Sequence, residues 1–145
     1  MSGIQYTYTF TNEYTSLIDR IITEVYLYPS SNTSLFKPLK LKALWDTGAT
    51  SSFISDRIAE SLQLETDGYM KVSTVGGIVN SKIHIVNIIL PNDINVPDIP
   101  VTQAFLDDCD MIIGMDIITL GNFSINNYGG KTTVSFTYPP EKIDE

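Results

Sequence analysis

Short β-like segments, separated by turn residues, run through almost the whole chain. Their apolar residues alternate with polar ones or form brief runs rich in Ile, Val and Tyr, which is typical of half-buried or buried strands. We predict strands over residues 4–10, 20–28, 39–45, 69–75, 78–90, 110–114, 123–125 and 132–138. Two segments favour a helix, one from Ser55 or Asp56 to Leu62 and one over residues 116–120. The pattern predicts a mainly β fold with one or two short helices.

Glycine and proline mark the connections between these strands. Gly76-Gly77 lies between two predicted strands and indicates a hairpin, because tight hairpin turns need positive φ angles. The proline-containing segments 29–38 and 91–100 are predicted to be loops or, in the second case, an edge region. Neither a linker nor an internal repeat is visible, so we expect a single domain over residues 1–145.

Charge and composition exclude several classes of function. The net charge is −8 and the pI is near 4.4, so the surface repels phosphate backbones and anionic lipids. We therefore expect neither nucleic acid nor a membrane as partner. The single cysteine, Cys109, excludes an internal disulfide and a thiolate metal cluster. No signal peptide and no apolar run of ~20 residues is visible, which favours a cytoplasmic protein.

The single histidine, His84, limits the chemistry further. It lies within an apolar strand pattern, so a structural histidine is favoured over a member of a Ser-His-Asp or Cys-His site. One histidine is also too few for a histidine-based zinc site. The segment Asp107-Asp108-Cys109-Asp110 lacks the spacing of a calcium loop and indicates a solvated turn. We expect no metal and no cofactor.

The triplet Asp46-Thr47-Gly48 follows directly after the predicted strand 39–45. Such a strand would present the carboxylate at its tip, and the glycine would let another backbone segment approach closely. Two carboxylates at hydrogen-bonding distance share one proton, so one can act as a base toward water and the other as an acid toward a carbonyl oxygen. The triplet occurs once, so the second carboxylate would come from a symmetric second copy of the chain.

The order of motifs over residues 20–138 is similar to that of the retropepsin-like aspartic proteases, and most of all to their bacterial single-domain members. The motifs are ALWDTGATSSFIS, the Gly76-Gly77 hairpin, MIIGMDII and FSINNYGGKTTVSF. The resemblance implies a small closed β-barrel that carries half of a pepsin-like active site. Residues 1–19 would then form an N-terminal strand or extension, and residues 139–145 a charged tail.

The resemblance also implies roles for individual residues. Asp46 would be the catalytic carboxylate, Thr47 would hydrogen-bond across the dimer, and Gly48 would line the cleft. Gly76 and Gly77 would form the tip of a flap that closes over the substrate. Ala49, Thr50, Val75 and Ile113 would contribute to substrate binding or to the flap. Ile112, Ile113 and Gly114 would support the Asp46 loop from behind.

Two positions depart from the viral members of the family, which often carry Asp in place of Thr50 and Arg in place of Met115. Those residues form an ion pair near the dimer interface, and the loss of both leaves no unpaired charge. Other residues must hold the dimer, and the candidates are Phe36 and the Tyr-rich N-terminal strand. In the viral enzymes the chain termini interleave into one sheet, and the charged tail over residues 141–145 argues against that arrangement here.

We therefore predict a homodimeric aspartic endopeptidase that cleaves an extended, largely apolar peptide without metal or cofactor. An alternative is a retropepsin-like dimerisation or peptide-binding module with little or no turnover. A third hypothesis is a protease that is silent until its own N-terminal segment is cut. Structural interpretations also stay open for Asp46 as a turn residue, for Gly76-Gly77 as an ordinary hairpin, and for Asp116 as a helix N-terminal residue stabilised by the macrodipole.

Overall fold

A computed structural model describes residues 6–31 and 37–142 of the chain. These residues form mainly β-strands with two short helices, as predicted. The strands are β1 Tyr8–Glu13, β2 Ile22–Pro29, β3 Leu39–Trp45, β4 Phe53–Ser55, β5 Gly68–Thr74, β6 Gly77–Leu90, β7 Ile94–Ala104, β8 Met111–Ile113, β9 Asn122–Asn126 and β10 Thr133–Tyr138. The helices are α1 Asp56–Ser61 and α2 Met115–Ile118. No helix within the described residues is long and apolar enough to cross a membrane.

Six of the strands form a closed barrel, which confirms the predicted architecture. They follow the order β2-β3-β8-β4-β7-β6, and the ring closes because β6 also pairs with β2. The pairs β3–β8 and β4–β7 are parallel, and the other pairs are antiparallel. The barrel interior is filled by almost fully buried side chains, among them Val25, Leu27, Leu41, Ala43, Ile54, Val86, Ile88, Met111 and Ile113.

A three-stranded sheet with the order β1-β10-β9 packs against the barrel through four aromatic rings. Trp45, the last residue of β3, contacts Phe10, Phe123 and Phe136. Its ring is stacked on Phe123 with a centroid distance of 5.1 Å and an interplanar angle of 8°. Its indole Nε1 donates a hydrogen bond to Thr23 Oγ1 at 2.9 Å. The end of β3 is therefore fixed between the barrel and this sheet.

The N-terminal segment is part of this fold. β1 pairs with β10 along all 6 of its residues, and Phe10 is buried in the core. The strand predicted over residues 4–10 thus lies further along the chain, and Ile4 lies outside the described residues. The hairpin predicted near the C-terminus is confirmed as β9 and β10. Phe36, a candidate for the dimer interface, is also outside the described residues.

Of the two interpretations of residues 91–100, the loop is wrong from Ile94 onward, where β7 begins, and the edge region is confirmed by the pairing of this part of β7. β7 contains Pro97 and Pro100, which lack the N–H that a central strand needs. They are tolerated because β4 pairs with β7 only from Thr102 onward, so the first part of β7 pairs with β6 alone. An irregularity in this pairing lies at Asn87, whose Oδ1 accepts the Asp98 N–H at 2.9 Å.

β5 and β6 form the predicted hairpin, but its turn lies one residue earlier than expected. Thr74 pairs with Gly77, so the two loop residues are Val75 and Gly76. Of these four residues only Gly77 has a positive φ, 115°, and it stands at the start of β6. Thr74 Oγ1 donates a hydrogen bond to the Gly77 carbonyl at 2.7 Å. The expected primed turn is absent because neither loop residue has positive φ.

Candidate active site

Asp46 lies directly after β3, whose predicted bounds are confirmed. Its backbone N–H donates to the Ile113 carbonyl at 2.9 Å, which ties the start of the loop to β8. The side chain of Asp46 is half-buried. β3 and β8 are parallel neighbours, so the segments that follow them leave the barrel at the same end. Asp46 therefore stands at the rim of the barrel, next to the segment that follows Ile113.

The triplet Asp46-Thr47-Gly48 forms a tight loop around the carboxylate. The Gly48 N–H donates to Asp46 Oδ1 at 2.8 Å, and the Ala49 N–H donates to the Asp46 carbonyl at 3.2 Å. A Cβ at position 48 would lie only 3.2 Å from Asp46 Oδ1, so glycine leaves room for this contact. Thr47, Gly48 and Thr50 are exposed, and Ala49 is half-buried. The loop thus presents polar groups at the surface of the protomer.

Gly114 lies behind this loop at a point where only glycine fits. A Cβ at position 114 would lie 2.5 Å from the Ser51 carbonyl oxygen and 2.8 Å from the Ala49 carbonyl oxygen. The next residue, Met115, donates its N–H to the Ala49 carbonyl at 2.8 Å. The segment that begins α2 is therefore in direct backbone contact with the Asp46 loop.

The fully buried Ser52 and the half-buried Asp116 form a hydrogen-bonded pair that the sequence patterns did not predict. Ser52 is 0% exposed, and its Oγ donates to Asp116 Oδ1 at 2.6 Å while accepting the Gly114 N–H at 3.0 Å. The Ser52 N–H donates to Asp116 Oδ2 at 3.0 Å. Asp116 also accepts the Ile117 N–H at 2.9 Å, as expected for its predicted place at a helix N-terminus. In addition, it binds Ser52 through both carboxylate oxygens. The two residues are 64 positions apart, and no local pattern brings them together.

An apolar face begins beside Asp46 and continues across the sheet. Ile112 pairs with Leu44 on β3 and with Phe53 on β4, and all three side chains are partly exposed. Phe53 pairs in turn with Thr102 on β7. Because side chains alternate along a strand, Leu44 and Asp46 project to the same side. Phe53 and Leu44 are candidate site residues that only the strand register identifies.

Ile113 does not lie on this face. Its side chain is 0% exposed and fills the barrel core, contrary to the expectation that it reaches a substrate pocket. Neighbouring residues of a strand point to opposite faces, so the open side belongs to Ile112. Ile113 therefore supports Asp46 from the interior. Its side chain fills the barrel core, and its carbonyl accepts the Asp46 N–H.

The β5–β6 hairpin extends beyond the end of β7. The first residues of β6 pair only with β5, because pairing with β7 begins at Ile83. Apolar side chains along this hairpin are exposed, and they are Tyr69, Met70, Val75, Ile78 and Val79. The Met70 sulfur accepts a hydrogen bond from the Thr102 hydroxyl at 3.8 Å, which connects the hairpin to the apolar face. Exposed apolar side chains grouped in this way are typical of a contact surface.

Two grooves of the protomer do not include Asp46. One of ≈ 420 Å³ lies between hairpin residues 79–82 and residues 103–105 at the end of β7. The other, of ≈ 520 Å³, lies between β1 and the first half of β2. Neither encloses the Asp46 carboxylate, which instead lies at the open rim of the barrel.

The acidic segment 107–110 is bound into the fold. The Asp110 carboxylate accepts the Lys42 N–H at 2.8 Å and forms an ion pair with Arg57. In residues 6–31 and 37–142, no group of three or more His, Cys, Asp or Glu is placed to hold a metal ion. Burial raises the pKa of the Cys109 thiol above its ordinary value, which disfavours the thiolate that a nucleophile needs.

Comparison with known proteins shows which family the chain belongs to. Residues 36–119, more than half of the chain, match a family model described as "gag-polyprotein putative aspartyl protease". The matched range contains the Asp46 loop, the β5–β6 hairpin and Gly114. No curated protein matches the chain.

Two solved structures have a similar fold. The retropepsin-like aspartic protease from Rickettsia conorii aligns with a TM-score of 0.57 and 12% identity, covering 94% of this chain and 98% of that chain. The EIAV protease complexed with the inhibitor HBY-793 aligns with a TM-score of 0.52 and 24% identity, covering 72% of this chain and 89% of that chain. At these identities the likeness concerns the fold.

Proposed function

Since the chain belongs to the retropepsin-like family of gag-polyprotein aspartyl proteases, we propose that it is an aspartic endopeptidase whose active site is completed by a second copy of itself. The observation that carries the proposal is the Asp46 carboxylate. It stands at the open end of β3, is held by the Gly48 N–H, and lies beside the apolar face of Leu44 and Ile112. The Asp-Thr-Gly triplet occurs once per chain, so a two-carboxylate site requires two chains.

In the proposed dimer the two Asp46 carboxylates lie about 3 Å apart across a two-fold axis and share one proton. The charged carboxylate takes a proton from a bound water, and the water oxygen attacks the peptide carbonyl carbon. The protonated carboxyl gives its proton to the carbonyl oxygen. The C–N bond of the resulting tetrahedral intermediate then breaks. The leaving nitrogen takes up the proton that the first carboxylate had taken from water, and a hydroxyl of the intermediate gives a proton to the second carboxylate, which restores the starting pair.

The proposed substrate is an extended peptide with apolar side chains. Leu44, Phe53 and Ile112 would receive these side chains, because they form a partly exposed apolar face next to Asp46. The exposed Thr47 would hydrogen-bond to the partner's loop. The β5–β6 hairpin would act as the flap, with Val75 at its tip in place of Gly77.

The proposed dimer forms through the outer edge of β9. β10 is already paired on both sides, with β1 and with β9, so an interleaved sheet of chain termini would require β1 to exchange partners. Asn92 covers part of the outer edge of β1, since its Nδ2 donates to the Thr9 carbonyl at 2.9 Å. In the described part of the chain, β9 pairs with β10 alone, and its Ile125 is half-exposed. Pairing of β9 with its symmetry mate would join the two sheets.

The decisive experiment compares the wild type with Asp46→Asn on an unfolded protein substrate between about pH 4 and pH 7. Asparagine keeps the oxygen that accepts the Gly48 N–H but cannot exchange a proton, so cleavage should fall by at least about a thousandfold. Asp19→Asn is the matched control, because Asp19 is exposed and distant in sequence from the loop. Equal cleavage by wild type and Asp46→Asn would rule out the assignment.

A binding measurement separates the protease from the alternative of a peptide-binding module. A pepstatin-like transition-state mimic should raise the melting temperature of the wild type, since ligand at about 100 times its Kd stabilises by about 2.7 kcal/mol. The Asp46→Asn variant should show a much smaller shift. A wild type that binds unfolded peptide but cleaves none at any pH would favour the module.

A further inference from the structure

The β5–β6 hairpin has two faces, and only one of them is turned toward the apolar face beside Asp46. Met70 contacts Thr102, so the side chains that share a side with Met70 form the inner face of the hairpin. Side chains alternate along a strand, and residues directly opposite each other in paired strands lie on one face. The outer face of the hairpin therefore carries Tyr69 opposite Lys82, Lys71 opposite Asn80, and Ser73 opposite Ile78.

The outer face is fully exposed, although two of its six side chains are large and mostly apolar. Tyr69 is 66% exposed and Ile78 is 72% exposed, and the other four side chains are also exposed. The proposed reaction uses neither Tyr69 nor Ile78, because both project away from the inner face. Exposed apolar side chains grouped on one surface are typical of a site of interaction with another molecule.

The outer face is also locally positive in an acidic chain. Residues 68–92 contain Lys71 and Lys82 and no Asp, Glu or Arg, whereas the whole chain has a net charge of −8. Within residues 6–31 and 37–142, neither lysine takes part in an ion pair. Lysine on an edge strand such as β5 also opposes pairing with a second positively charged strand. That role accounts for Lys71 but not for the neighbouring Tyr69 and Ile78.

We propose that the outer face of the β5–β6 hairpin binds a short acidic segment of a partner protein. Carboxylates of the segment contact Lys71 and Lys82, and its apolar side chains pack on Tyr69 and Ile78. This combination of complementary charge and an aromatic contact is typical of protein interfaces.

The charges of the chain favour this occupant over two others. Two copies of the chain that met through their outer faces would bring four lysines together, which opposes that contact. A phosphate backbone or an anionic membrane extends over a wide area and would also meet the acidic remainder of the chain. A short acidic segment meets mainly the local positive charge, because charges further than about 8–10 Å away are largely screened.

Binding at this face would act on the hairpin from the side opposite to Asp46. In the proposed protease the hairpin is the flap, so a partner bound to its outer face would favour the flap position that leaves this face accessible. That consequence rests on the proposed function. The binding itself does not, and it is measured without any assay of cleavage.

The test titrates the ¹⁵N-labelled full chain with the acetylated and amidated peptide Glu-Phe-Glu-Leu-Glu-Phe-Glu. The titration is done on the wild type and repeated on Asp46→Asn, in which the proposed reaction cannot consume the probe. We expect amide chemical-shift changes at Tyr69, Lys71, Ile78 and Lys82. The dissociation constant should rise about fivefold when the salt concentration is raised from about 50 mM to about 500 mM, because the two contacts between charges are exposed.

A pair of double variants tests the role of the two lysines. Lys71→Glu/Lys82→Glu replaces attraction by repulsion, so its dissociation constant for the probe should be at least about tenfold higher than that of the wild type. Lys131→Glu/Lys142→Glu is the control, because it changes the net charge of the chain by the same amount at two exposed lysines elsewhere. The control should bind within about twofold of the wild type.

Several outcomes would overturn the proposal. Among them are equal binding by the two double variants, equal binding of a probe in which Lys replaces every Glu, and no shift on the hairpin up to about 1 mM probe. Shifts at Leu44, Phe53 and Ile112 in place of the hairpin would put the peptide on the apolar face beside Asp46. Co-sedimentation with vesicles of phosphatidylcholine and phosphatidylserine, without binding of the peptide, would assign the outer face to a membrane surface.

Discussion

At the scale of single residues, the Asp46 loop depends on positions that admit no side chain or only a small one. Gly48 lets a backbone N–H reach the carboxylate, and Gly114 lets the start of α2 contact the loop. Ser52 is small enough to be fully buried while it donates to Asp116 and accepts from Gly114. The geometry of the carboxylate is therefore set by close backbone approach and by the hydrogen-bonded pair of Ser52 and Asp116.

Gly114→Ala tests this close approach. Its Cβ would overlap two carbonyl oxygens of the loop, so we expect the free energy of unfolding to fall by about 1–3 kcal/mol or more, and cleavage to be lost. Urea unfolding followed by circular dichroism measures the first effect. Gly76→Ala is the control, because the nearest atom to its Cβ would be 3.9 Å away, and a change within about 0.5 kcal/mol is expected. Equal stability of the two variants would contradict the packing argument.

At the scale of secondary-structure elements, β3 and β9 are coupled through Trp45 and Phe123. The stacked rings join the strand that ends at Asp46 to the strand proposed to form the dimer interface. The Thr23 hydroxyl fixes the indole from the barrel side. Movement of β9 would therefore be transmitted to the end of β3.

Phe123→Ala tests this coupling. The variant removes the ring stacked on Trp45 and leaves a space beneath a half-buried position, so we expect a loss of about 2–3 kcal/mol in the free energy of unfolding. The chain has a single tryptophan, so its fluorescence should shift to longer wavelength as water reaches the ring. Tyr128→Ala, at a 91% exposed aromatic residue, should change neither quantity. An unchanged emission maximum in Phe123→Ala would contradict the coupling.

The elements also show where local patterns failed. β4 has only 3 residues, too few for an apolar alternation to be recognised. The first part of β7 was predicted as a loop or an edge region, because Pro97 and Pro100 are unfavourable in a central strand. Prolines disfavour a strand that has neighbours on both sides. The first part of β7 has only β6 as a neighbour, and that follows from the strand order of the barrel, which the local sequence does not reveal.

In the molecule as a whole, the described residues carry one Asp46 carboxylate at the rim of the barrel and a sheet whose edge strand β9 pairs with β10 alone. In the three-stranded sheet, the first described strand, β1, pairs along its whole length with the last, β10, of the same chain. Cutting within β1 would remove Phe10 from the core. The hypothesis of activation by loss of the N-terminal segment is therefore confined to the residues that precede β1.

Ile125→Arg tests the proposed dimer. Two arginines close to the symmetry axis would repel each other, so sedimentation equilibrium should show a monomer, and cleavage should be lost while the fold is retained. Tyr8→Arg places the same charge on β1, the opposite edge strand of the sheet, where Tyr8 is 57% exposed. If Tyr8→Arg dissociates the dimer and Ile125→Arg does not, the interface lies at the N-terminal strand instead.

Local patterns in the amino-acid sequence were enough to predict the β class, the strand that leads to Asp46, the α1 helix and both hairpins, because periodicity, capping residues and glycines act over a few neighbouring positions. The single occurrence of the triplet is also the basis of the prediction that a two-carboxylate site would take its second carboxylate from another copy of the chain. The folded structure was needed to show that Ile112 and not Ile113 faces outward, that Ser52 contacts Asp116, and that His84 lies between the Glu65 carbonyl and the Gln103 amide. Each of these depends on strand register and on contacts between distant segments, which no local pattern encodes.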